Sequence, residues 1–197
     1  YLYFTNFVTG GCVMIIELLG TRFLAPYFGS SVYTWTALIT VTLVALALGY
    51  RVGGWVADRF PRAGFLYGII LAAGLFLLLV LAIRKSILGA SLHAGIVGGT
   101  LTSAAVLFGP TLLLLGTVAP YSVKLCTKEL TKLGNIVGRL YAISTLGSFI
   151  GTVTTGFVLV PNFSNVWILG LCAGLLGILP ACYFLFLTFN LPVFGAT

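Results

Sequence analysis

The chain has 197 residues, 60% of them hydrophobic and 7% charged, with ten Lys and Arg against three Asp and Glu. A mean hydropathy of +1.17 excludes an ordinary soluble domain, in which charged residues make up about a quarter of the sequence, and points to a polytopic membrane protein. The net charge of +7 does not indicate a nucleic-acid partner, because the cations lie in short loops between apolar spans, where they set topology.

Apolar blocks long enough to cross roughly 30 Å of hydrocarbon recur along the whole chain. The first is expected over 2–21 and the second over 32–56, closed by Asp58, Arg59 and Pro61. The third covers 64–83 and stops at Arg84 and Lys85; the fourth covers 94–118, with a kink expected at Gly109 and Pro110 and an exit at Ala119 and Pro120. Ser122 to Asn135 carries Lys124, Lys128, Glu129 and Lys132 and reads as a short amphipathic helix on the membrane surface. The fifth span is expected over 137–160, a tight turn at Pro161 to Asn165, and the sixth span over 166–189. The fold predicted is a single all-α integral membrane domain over 1–197, a bundle of six transmembrane helices. Its 25 Gly and 7 Pro imply close, kinked packing, since small residues admit backbone approach and neighbours re-satisfy the bonds that Pro frees.

Ala25, Pro26 and Tyr27 follow the first span as Ala119, Pro120 and Tyr121 follow the fourth, while Pro61 closes the second and Pro161 the fifth. This echo suggests two three-helix halves of opposite membrane orientation, as in transporter repeats. Cys12, Cys126, Cys172 and Cys182 are scattered and fit small apolar residues better than a redox or metal site.

Glu17, one of three acids, lies inside the first apolar span. A carboxylate there is costly alone and faces the bundle interior, paired, protonated or solvated. Arg22 is five residues on, a rotation of about 140° from Glu17 on a continuous helix, so the two do not share a face; pairing stays open because Arg is long and the helix can unwind before Pro26. Two readings stand: a clamp from Glu17 to Arg22 or to backbone, and a carboxylate that receives a cation or proton. In the fifth span, Gly147 and Gly151 are four apart and Gly156 follows, which predicts a helix-packing seam. His93 reads as an interfacial polar residue, and Glu17, Asp58, Glu129 and His93 are too dispersed to assemble an acid–base pair or a metal site.

Gly53, Gly54, Asp58, Arg59 and Arg62 resemble the cytoplasmic signature loop of the major facilitator superfamily, in which an Asp and basic residues clamp neighbouring helices; Phe60 and Pro61 stand where that loop has a second Gly. Read together, Glu17, Arg22, Gly29 to Ser31, Tyr33, Leu46, Gly49, Gly53, Gly54, Asp58 and Arg59, with Gly138 to Gly151 and Gly156 to Pro161, resemble the membrane domain of spermidine synthase-like fusion proteins. The resemblance implies a half-major-facilitator-like bundle that precedes a cytosolic aminopropyltransferase-like domain. Nothing in these residues resembles that second domain, so the expected role is non-catalytic: the bundle anchors or serves a partner, with no cofactor of its own. A polyamine or other cation at Glu17 is the guest that the resemblance and the charge suggest. An accessory or scaffold subunit of a larger membrane complex, and a half-transporter acting as a homodimer, are the alternatives. The partners expected are the lipid bilayer, other protein subunits or a cytosolic synthase-like domain, and no nucleic acid.

Six crossings place Arg51, Arg59, Arg62, Lys124, Lys128, Lys132 and Arg139 on one side, with only Arg22, Arg84 and Lys85 on the other. The positive-inside rule then orients the protein in the plasma (inner) membrane with both termini in the cytoplasm. A phosphatase or fluorescent reporter fused after Thr197 is expected to report a cytoplasmic location, and a reporter active only outside the cell contradicts this topology.

Overall fold

The structure is a computed structural model and describes residues 1–127 and 133–188. Every regular element among these residues is helical. Five helical runs are long and apolar enough to cross a membrane: Leu2–Phe28, Val32–Arg59, Ala63–Leu107, Leu133–Asn162 and Asn165–Phe186.

Helix α1 runs Leu2–Phe28, seven residues beyond the expected end at 21. Pro26 sits in its last turn, where its missing N–H forfeits only the bond to the Arg22 carbonyl. The helix ends instead at Gly29, whose φ of 78° suits glycine and whose N–H bonds the Ala25 carbonyl at 2.9 Å. Glu17 is therefore in the interior of α1, about 16 Å of rise from its end. Helix α2 (Val32–Arg59) begins after Ser31 in extended geometry and is secured by the Thr34 hydroxyl donating to the Gly29 carbonyl at 2.8 Å.

Helix α3 (Ala63–Ser91) passes through Arg84 and Lys85, where a stop was expected. These charges do not end the helix: the Arg84 guanidinium folds back onto the Leu81 carbonyl. The 45 residues of Ala63–Leu107 would stretch about 68 Å if straight, more than twice the hydrocarbon thickness. They are folded at a 3₁₀ turn, Leu92–Ala94, and at Gly95, where φ is 72°. Beyond it, α4 (Gly95–Leu107), α5 (Gly109–Gly116) and α6 (Val118–Cys126) return alongside α3. In α6, the Tyr121 hydroxyl donates to the carbonyls of Phe60 and Arg62 at the foot of α3, the latter at 3.1 Å.

The kink expected at Gly109 and Pro110 falls at Phe108, the junction of α4 and α5. A second break, at Thr117, lies three residues before Pro120, which has no N–H to offer the Gly116 carbonyl. Pro120 is thus inside α6. Of the surface helix expected over 122–135, Ser122 to Cys126 continue α6, the next helix is described from Leu133, and 128–132 lie outside the described residues.

Helix α7 (Leu133–Thr154) passes through one π-helical turn, Thr155–Leu159, into the short α8 (Val160–Asn162), so Pro161 belongs to a final helical turn. Helix α9 (Asn165–Thr188) contains Pro180 and packs along α3, with Tyr67 and Tyr183 stacked at 4.1 Å. The Tyr1 hydroxyl donates to the Leu179 carbonyl at 2.6 Å, tying the start of the chain to α9.

Helix α1 is the hub. In its most apolar window 56% of residues are buried, against 17% for Leu133–Asn162, so the α7 rod is peripheral and held mainly by α1. The two meet backbone to backbone. A Cβ on Gly147 would collide with the Phe7 main chain, and one on Gly151 would come within 2.9 Å of the Gly11 Cα. On the other side of the seam, a Cβ on Gly10 would strike the Ser144 carbonyl. Gly156, expected in the same seam, is not in it: it lies five residues beyond Gly151, off the spacing of three or four that shares a helix face, and a Cβ there meets nothing within 4 Å. A second seam joins α2 to α5 and α6 at Gly49, Gly53, Gly116 and Thr117.

Gly147→Ala and Gly151→Ala should each lower stability by about 1–3 kcal/mol through overpacking, whereas Gly156→Ala should stay within about 0.5 kcal/mol of the parent. Thermal unfolding in mild detergent checks this, and equal melting temperatures for all three contradict the assignment.

Candidate functional site: a polar cleft at Glu17

Four helical rods of mixed polarity leave a cleft of about 260 Å³ between α1, α2, the α5–α6 segment and α7. On α1 it is lined by Asn6, Thr9, Gly10, Val13, Met14 and Glu17, which recur every three or four residues and so form one stripe of the helix. On α7 the lining residues Tyr141, Ser144, Thr145 and Ser148 repeat the same spacing, and on α2 Thr42, Leu46 and Tyr50 do so every four. Three stripes of mixed polarity therefore converge, and their convergence is what makes the cleft.

The polar groups divide into those that hold the walls and those that are left over. Asn6 is buried, and its Nδ2 donates to the Leu2 carbonyl and to the Ser122 hydroxyl, both at 2.8 Å, which fastens α1 to α6. Ser148 Oγ donates to the Gly10 carbonyl at 3.0 Å across the glycine seam. Thr42 is different: it is 3% exposed and its Oγ1 has no hydrogen-bond partner. Gly20 of α1 faces Leu38 of α2, and the two helices are antiparallel, so Thr42 lies at the level of Glu17. An unbonded hydroxyl and a carboxylate thus sit at one depth.

Glu17 is half-buried and, among the described residues, has neither an ion pair nor a hydrogen bond. Arg22 is not its partner. Because α1 remains helical through Arg22, the two side chains keep their angular separation, and Arg22 lines a different cavity, of about 400 Å³, with Thr21, Ser30, Trp35 and Asn165. The clamp reading for Glu17 has no counterpart in the geometry. What the cleft offers chemically is one carboxylate, able to accept from an ammonium group or to take a proton, beside hydroxyls of Thr, Ser and Tyr.

At the other end of α2, Asp58 forms the one ion pair among the described residues, with Lys124 of α6 at 2.7 Å. The expected clamp of Asp58, Arg59 and Arg62 is rearranged accordingly. Arg59 lies over the Trp55 ring at 5.9 Å, and Arg62 takes part through its backbone carbonyl, which accepts from Tyr121. The cation that answers Asp58 comes from a helix 66 positions away in the chain, beyond the reach of a local motif. His93 is exposed in the 3₁₀ turn, Glu129 lies outside the described residues, and among the described residues no three His, Cys, Asp or Glu are grouped to hold a metal ion.

Sequence reasoning singled out Glu17 but missed Asn6, Thr42, Tyr50, Tyr141 and Ser144 around it. The signal was present as polar residues spaced three and four apart on the first, second and fifth apolar blocks. Comparison with protein-family models, curated proteins and solved structures finds no match to this chain.

Both partners of the Asp58–Lys124 pair are largely exposed, at 70% and 49%, so its net worth should not exceed about 1 kcal/mol. Asp58→Lys and Lys124→Asp should each lower the melting temperature slightly at low salt, and the double exchange should restore it. Failure of the double variant to recover removes the pair from the account.

Proposed function

We propose that this chain is a non-catalytic, half-transporter-like membrane domain that binds a cationic ligand in the Glu17 cleft and works with a partner. Six crossings are formed by α1, α2, α3, the α4–α6 rod, the α7–α8 rod and α9, in two three-helix halves, with both termini cytoplasmic. The observation that carries the reading is Glu17. A carboxylate in the interior of a membrane helix, without a protein cation and facing a cleft beside the unbonded Thr42 hydroxyl, favours an incoming positive charge, because an isolated charge at that depth is expensive and a counter-ion offsets it. Resemblance to the membrane domain of spermidine synthase-like proteins supports an amine as the cation and a cytosolic synthase-like domain as the partner.

A second reading, an accessory subunit of a larger membrane complex, is favoured by the outer face of α7 and the turn after it. Leu146, Phe149 and Phe157 are exposed there, and lipid or another helix can cover them equally well.

Purified protein in lipid nanodiscs, titrated calorimetrically with butylamine, putrescine and spermidine, tests the first reading. At least one of these amines should bind, and Glu17→Gln should weaken that binding at least about tenfold. Binding that is indifferent to Glu17→Gln, or no binding by any amine, contradicts it.

A further inference from the structure

The layout of charge along the cleft narrows the class of ligand. Among the described residues that line it, Glu17 is the only charged one. Asp58, the other described acid, is at the far end of α2 and already engaged by Lys124. A second ammonium in the cleft therefore has no carboxylate to meet among the described residues and carries the full penalty of an unpaired charge at low dielectric.

Away from Glu17 the walls are first apolar and then neutral and polar. Val13 and Met14 of α1 and Leu43 and Leu46 of α2 follow Glu17 and Thr42. Beyond them come Asn6, Tyr50 and Tyr141. With Nδ2 of Asn6 committed to Leu2 and Ser122, its Oδ1 is left without a protein donor among the described residues, and the same holds for the Tyr50 and Tyr141 hydroxyls. Along the axes, Thr42 to Tyr50 spans about 12 Å and Asn6 to Glu17 about 16 Å. At about 260 Å³ the space falls just below the roughly 300 Å³ at which sites for drug-sized molecules begin, so the guest is small.

We infer that the cleft is built for a singly charged, elongated amine: an ammonium group held by Glu17 and Thr42, a short methylene chain against Val13, Met14 and Leu46, and a neutral amide or hydroxyl met by Asn6, Tyr50 and Tyr141. The inference rests on the reading of the cleft as a cation site and excludes a polycation as its preferred occupant. A mono-acylated diamine has this pattern; a free diamine or triamine does not.

N-acetylputrescine, putrescine and spermidine are the probes, titrated against the full chain in nanodiscs at neutral pH. N-acetylputrescine should bind at least about tenfold more tightly than either polycation, tenfold being the equivalent of a single 1.4 kcal/mol difference. Tyr50→Phe should weaken N-acetylputrescine but leave butylamine, which lacks the neutral polar end, unchanged. Tyr141→Glu, which supplies a second carboxylate at the far end, should invert the preference toward putrescine. This gain of binding keeps the test decisive even if a loss variant folds poorly. Putrescine or spermidine binding as tightly as N-acetylputrescine in the parent protein overturns the inference while leaving a cation site in place. Absence of binding by every amine overturns both.

Discussion

Backbone contact between α1 and α7 at Gly10, Gly11, Gly147 and Gly151 sets the position of everything that borders the cleft. Inside a bilayer the hydrophobic effect does not press helices together, because lipid is as apolar as the side chains; association relies on close packing and on hydrogen bonds between helices. A peripheral rod such as α7, little buried except along α1, needs surfaces that fit at the level of the main chain. The glycines supply the fit and Ser148 adds a hydrogen bond to the Gly10 carbonyl. With α7 this close to the lower half of α1, the stripe of Tyr141, Ser144, Thr145 and Ser148 is turned toward α2 and α6, and a polar space is enclosed where α1 presents Glu17.

The same economy explains the many hydroxyls buried in an apolar chain. Thr5, Thr9, Thr100 and Thr117 return their protons to carbonyls three or four residues earlier on their own helices, so each is satisfied without a partner helix. Thr42, Ser103, Thr111 and Thr155 are not satisfied, and each such group costs about 1–3 kcal/mol if left dry. Of the four, Thr42 alone lines the cleft with Glu17. An uncompensated hydroxyl there is compensated when a donor or acceptor enters, which links local instability to occupancy.

The apolar blocks and the all-helical class were legible because hydropathy reports transfer to lipid directly. The helix ends were less so. Arg84 and Lys85 read as a stop, yet α3 runs on to Ser91, because charged side chains leave a helix's own backbone hydrogen bonds intact. Pro26 read as a breaker but sits where a helix loses only one bond, so α1 continues to Phe28 and Glu17 lies well inside it. Spacing of four located Gly147 and Gly151; Gly156, five residues further on, does not share that spacing and lies outside the seam. Lys124 as the partner of Asp58, and Tyr50 and Tyr141 as neighbours of Glu17, depend on which helices pack together, and nothing local in the chain states that.

The central claim is that a water-accessible polar cleft runs beside α7 at membrane depth. Thr145 lines the cleft and Leu146, the next residue, does not; Leu146 is 55% exposed on the outer surface. Both lie at nearly the same depth. In a background with Cys12, Cys126, Cys172 and Cys182 replaced, Thr145→Cys and Leu146→Cys in lipid vesicles can be treated with a hydrophilic maleimide, which reacts only where water reaches the thiol. The account predicts labelling at position 145, protection at position 146, and slower labelling at 145 when an amine occupies the cleft. Equal labelling of the two, or protection of both, contradicts it.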